Sequence, residues 1–146
     1  MAISAETTIS LLVDRWEQVS RKLEALGREL PEEALDHPPV SGSRSYGAVL
    51  RHVAFWNQYL ADTLRGIKAD DAQNELPPAE YSTKVSILAA LRRGSDAVTS
   101  ALQGSKSVDP KSAELLITFI EHTSEHYGQL VVYCRLMGIV PVTSRS

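Results

Sequence analysis

Four histidines and one cysteine are the only soft metal-binding side chains in this sequence. His122 and His126 stand four apart in the segment EHTSEHYGQL. On a helix that spacing puts two imidazoles one turn apart on the same face, where they can converge on one ion. The residues between them are Thr123, Ser124 and Glu125, so the HExxH of zinc proteases is absent. His52 lies in a second apolar-periodic segment, in the series Val49, His52, Trp56 and Tyr59, spaced three, four and three. Three inward imidazoles from two helices leave a tetrahedral or octahedral ion with open positions for water or substrate. A structural zinc site usually has a closed ligand set. The alternative is a plain bundle whose histidines hydrogen-bond internally. His37, in DHPP, falls in a proline-rich connection and is set aside as a loop residue.

Other side chains share these faces. Glu121 and Glu125 lie one residue off the histidine stripe. Either could orient a ligand imidazole from behind, or be a solvated surface carboxylate. Tyr59 and Tyr133 could donate a hydrogen bond to substrate, or serve as core or rim aromatics. Cys134, in an apolar stretch, reads as a buried small residue, since no basic neighbour is placed to depress its pKa. A single cysteine excludes an intrachain disulfide and a multi-cysteine zinc knuckle, and fits a reducing cytoplasm.

The elements that must carry these residues are four long amphipathic segments. The first runs from about Ser4 to Leu26, with Ile9, Leu12, Trp16, Val19, Leu23 and Leu26 at alternating spacings of three and four, and Gly27 as its stop. The second runs from about Tyr46 to Ile67, capped by Ser45. The third runs from about Thr83 to Gln103, capped by Ser82, with Val85, Leu88, Leu91, Val98 and Leu102 inward and Gly94 as a weak point. The fourth starts on Asp109 and Pro110, runs to about Met137 and stops at Gly138. Along it Leu115, Phe119, His122, His126, Leu130 and Tyr133 form one inward stripe. Residues 31–44 and 68–81 are long breaker-rich connections. No segment alternates with period two. The expectation is an all-α, single four-helix bundle covering residues 1–146, and bundle cores are known sites for metals held by facing helices.

Composition narrows the function. The chain has 146 residues, a net charge of −3 and 43% hydrophobic residues, which suits one globular domain. Binding to nucleic acid through a basic face is not expected, because phosphate neutralisation needs clustered Lys and Arg. No apolar run approaches the ~20 residues that span a bilayer. The opening MAISAETTIS has no secretory pattern, so the expected setting is cytoplasmic, with no membrane partner. Neither GxGxxG nor GxxxxGK[ST] occurs, so nucleotide binding has no support.

Two segments carry a family resemblance. SYGAVLRHVAFWNQYLADTLRG resembles the second helix of the DinB/YfiT-like superfamily, and EHTSEHYGQLVVYCRLMGIVP resembles its last. The matching residues of the latter are His122, His126, Gly128, Gln129, Arg135, Gly138 and Pro141. The resemblance implies a four-helix bundle of unusual handedness with crossover-type connections. It implies that His52, His122 and His126 bind a divalent metal, nickel or zinc, near one end of the bundle, and that the protein is a homodimer. It also implies a small-molecule substrate, a low-molecular-weight thiol, handled in thiol transfer or thiol-dependent isomerisation. The expectation is a metal-dependent, thiol S-transferase-like enzyme. A metal-dependent hydrolase and a non-catalytic, stress-related metal-binding module are the alternatives.

Overall fold

Every long helix begins on a side chain that accepts an otherwise unpaired backbone N–H. In the computed structural model, which describes residues 1–145, these helices are α1 (Ala5–Glu29), α2 (Tyr46–Leu64), α3 (Lys84–Leu102) and α4 (Pro110–Leu136). Among the described residues there is no β-strand. The all-α expectation therefore holds. The caps are Ser4 to Thr7 N at 3.1 Å, Ser45 to Ala48 N at 3.2 Å, Thr83 to Ser86 N at 3.2 Å, and Asp109 to Ser112 N at 3.0 Å. The third differs from the expected Ser82. Thr83 wins because Ser86 returns the bond to its backbone N–H, closing a reciprocal box.

Three further expectations are corrected. Helix α1 does not stop at Gly27 but continues to Glu29. Gly27 is buried inside it, where a Cβ would meet Leu88 at 3.1 Å and Leu50 at 3.2 Å. The residue permits close helix approach, and the end of α1 is instead satisfied by the Lys84 ammonium, which donates to the carbonyls of Arg28 and Leu30 at 2.8 Å. Helix α2 ends at Leu64, not Ile67, because Gly66 takes a left-handed turn at φ +74° and leaves Ile67 exposed. Val85 is 78% exposed, and Ile87 takes the inner position that begins the stripe of α3.

The packing order follows from two apolar clusters. One joins Leu26 and Leu30 of the α1 end, Tyr46 and Leu50 of the α2 start, Ile87 near the α3 start and Leu130 near the α4 end. The other joins Trp16, Leu60, Val98 and Leu116 at the opposite end. Helices α1 and α4 thus run one way, and α2 and α3 run the other. Each of α1 and α2 packs on both α3 and α4, which puts α1 and α2 at opposite corners. Because α2 and α3 are parallel neighbours, the chain must return along the bundle between them, about 28 Å for a 19-residue helix. Residues 65–83 make that crossover. Gly94 lets the pair approach closely, since a Cβ there would lie 2.9 Å from the Asn57 Cβ.

Candidate metal centre

Helix α2 presents His52, and α4 presents His122 and His126 one turn apart. His52 is buried and the other two are half-buried. One ring nitrogen from each lies within 4.8 Å of the others. The ring centroids are 4.7 to 4.9 Å apart. The expected trio is therefore brought together, while His37 lies exposed in the first connection.

The partners of these rings decide which nitrogens carry protons. His52 Nδ1 lies 2.6 Å from the carbonyl oxygen of Asn74. A carbonyl only accepts, so Nδ1 is the protonated nitrogen and Nε2 of the neutral ring keeps a lone pair. His126 is fixed through a longer chain. The Tyr133 hydroxyl donates to the carbonyl of Arg44 at 2.7 Å and so accepts from Gln129 Nε2 at 2.9 Å. That orients the Gln129 amide with Oε1 toward His126 Nδ1 at 2.8 Å. Nδ1 must donate there, and Nε2 again keeps its lone pair. His122 Nε2 sits 2.9 Å from His52 Nε2, while His122 Nδ1 is buried with no hydrogen-bond partner.

Burial favours the neutral form of His122 and His52. It is the main cause that pushes His122 down to about 4, with His126, His52 and Arg44 adding to the effect. His52 is also lowered, first by burial, although its bond to the Asn74 carbonyl opposes the shift. Neutral, convergent imidazoles are the donor type that suits zinc, nickel and other borderline divalent ions better than magnesium or calcium. The cluster thus fits a divalent metal. His52, His122 and His126 would hold it.

An aromatic wall flanks the cluster. Trp56 and Phe119 stack at 6.0 Å, and Phe119 packs edge-on to His122 at 5.8 Å. Tyr59 lies against Trp56 at 5.0 Å and Phe119 at 6.2 Å. Tyr133 has its hydroxyl proton committed to Arg44, which leaves none for a substrate. Glu121 and Glu125 are exposed, and neither bonds a histidine ring among the described residues. Cys134 is fully buried, and burial raises its thiol pKa.

The orienting groups escaped the sequence reading. The crossover carries Asn74, whose carbonyl holds His52 and whose side-chain oxygen accepts from Trp56 Nε1 at 2.9 Å. Buried Arg51 clamps this segment to α2. Its guanidinium reaches Glu75 at 2.7 Å, the Tyr81 carbonyl at 3.2 Å and Asp36 at 3.2 Å. A backbone carbonyl leaves no mark in a sequence, but an arginine on the apolar face of α2 was a readable signal. Gln129 stood in the quoted motif without a role, three residues after His126.

Residues 15–130 match the family model described as the DinB superfamily. The match includes all three histidines and Gln129, and leaves Arg135, Gly138 and Pro141 outside it. No curated protein matches the chain.

Proposed function

The chain belongs to the DinB superfamily, and from that premise we propose that it is a metal-dependent enzyme acting at His52, His122 and His126 on a small thiol or related nucleophile. The observation that carries the reading is the tautomer arrangement. His52 and His126 have Nδ1 tied to acceptors, so their Nε2 lone pairs face the cluster and could be given to a cation, which would take the place of the His52–His122 contact. When bound, a divalent ion such as nickel or zinc supplies positive charge that lowers the pKa of a thiol or water beside it. The protein's own groups do the rest. Trp56 and Phe119 set apolar ring surface against His52 and His122. Arg44 adds positive charge that acts on His52 and His122, and so favours an anionic ligand. A thiolate meets that preference and remains nucleophilic near neutral pH.

Elemental analysis of the purified, metal-supplemented protein tests the site. About one metal ion per chain is expected, and His126→Ala should abolish it. Metal content near zero, or unchanged in the variant, would overturn the proposal. Thiol-conjugation and small-ester assays then divide the chemistry. Ester turnover without conjugation assigns a hydrolase, and metal binding without turnover assigns a binding module.

A further inference from the structure

Gln129 spends its side chain on His126 and Tyr133, and so decides what His126 can do. A free neutral imidazole exchanges its proton between Nδ1 and Nε2 and favours the Nε2–H form. That form turns a proton, not a lone pair, toward the other histidines. In this protein Gln129 Oε1 stands 2.8 Å from His126 Nδ1. A glutamine amide can flip, which would present its NH₂ to Nδ1 and select the wrong form. The flip is blocked from the other side. Tyr133, 4% exposed, spends its proton on the Arg44 carbonyl and can only accept from Gln129 Nε2. Each bond in the chain has one permitted direction, and the direction starts at a main-chain carbonyl.

Resting on the metal-site reading above, we infer that Gln129 is a positioning residue that locks His126 in its Nδ1–H tautomer, and that Tyr133 and the Arg44 carbonyl lock Gln129 in turn. The relay couples one ligand of α4 to the end of the first long connection. It makes metal affinity depend on a residue that never meets the ion. Partners of this kind typically change metal affinity 10- to 100-fold when removed.

The test has two arms. The first reads the tautomer in metal-free protein above pH 7.5, from the ¹⁵N shifts of the His126 ring in long-range ¹H–¹⁵N correlation spectra. Wild type should show Nδ1 protonated and Nε2 bare. Gln129→Leu should move His126 toward the Nε2–H form, and Gln129→Glu should keep the native form, since a carboxylate only accepts. The second arm measures Zn²⁺ affinity by competition with a chromophoric chelator. Gln129→Leu should bind about 10- to 100-fold more weakly than wild type, with Gln129→Glu restored to near wild type. Thermal unfolding checks that each variant folds. If Gln129→Leu misfolds, Tyr133→Phe serves instead, because it frees the amide to flip. It should then give mixed His126 tautomers. Nε2–H in wild type, or tautomer or Zn²⁺ affinity unchanged in a folded Gln129→Leu, overturns the inference. If wild type takes up no Zn²⁺, the proposed function fails, and the tautomer arm alone decides the role of Gln129.

Discussion

Replacing Arg51 by methionine removes the cation that ties both long connections to α2 while keeping much of its apolar stem. Arg51 is 3% exposed and makes three polar contacts. The bond to Glu75 is short and charge-assisted, worth about 2 kcal/mol. The Asp36 side chain is 64% exposed, so that ion pair adds under about 1 kcal/mol. The Tyr81 carbonyl loses its donor at a cost of about 1 kcal/mol. Arg51→Met should therefore destabilise the metal-free protein by about 3 kcal/mol. That is the low end for breaking a buried pair, because both acids can regain water. In a chain of this length the melting temperature should fall by about 10 °C. A second effect reaches the histidines. Asn74 precedes Glu75, so the released crossover no longer fixes the carbonyl that holds His52 Nδ1. Zn²⁺ affinity should drop about 10-fold. Urea and thermal unfolding give the first quantity, and chelator competition gives the second. A loss under about 1 kcal/mol with wild-type Zn²⁺ affinity would refute the argument that Arg51 holds the crossover in place.

Acid should weaken the metal-free fold in a defined window. His122 titrates near 4 in the folded chain because it is buried, but near 6.5 when unfolded, so below pH 6.5 the unfolded state binds the extra proton. Stability should fall between pH 7.5 and 5 by at most about 2 kcal/mol from this group, since water partly reaches the ring. His52, lowered in the same direction, adds to the slope. Urea midpoints across that range should flatten in His122→Ala, and an equal slope there would count against burial as the cause. Gly94→Ala and Gly128→Ala form an opposed pair. The first places a Cβ 2.9 Å from buried Asn57 and should destabilise by about 1–2 kcal/mol, despite the helix preference for alanine. The second meets nothing within 4 Å and should stabilise by up to about 1 kcal/mol, both read as denaturant midpoints.

Legibility in the sequence followed the range of the interaction. The helices rest on repeats of three and four and on local caps, so Ser45, Asp109 and Pro110 marked their starts correctly. The His122–His126 pair is equally local. His52 joined them by facing inward on its own helix, and packing alone brought it to them. The difference at Gly27 has a tertiary origin. A glycine near a helix end can stop it or let a neighbour approach, and only the partner helix decides. Here Leu50 and Leu88 fill the space that a side chain would need. Adjacency in sequence makes Glu125 a candidate support for the His126 imidazole. One residue along a helix turns a side chain by ~100°, and that turn points Glu125 into solvent.

The helices and the connections divide the work of the site. Helix geometry sets the spacing of the three rings but says nothing about their protons. For His52 the proton is set at Asn74 in the crossover, and for His126 by Gln129 and Tyr133 of α4, anchored on the Arg44 carbonyl at the end of the first connection. Both segments exist because of the chain path. Parallel α2 and α3 require a crossover, and α1 and α2 at opposite corners require a long link between them. The topology therefore delivers one main-chain carbonyl directly to His52 and a second, through Tyr133 and Gln129, to the relay behind His126. His122 receives neither, and its Nδ1 is left unpartnered. The bare His52 Nε2 faces His122 Nε2 at 2.9 Å, so these two rings pair with each other, while the His126 lone pair is turned toward them by Gln129. The three rings thus offer convergent nitrogens of the kind that fits a divalent cation.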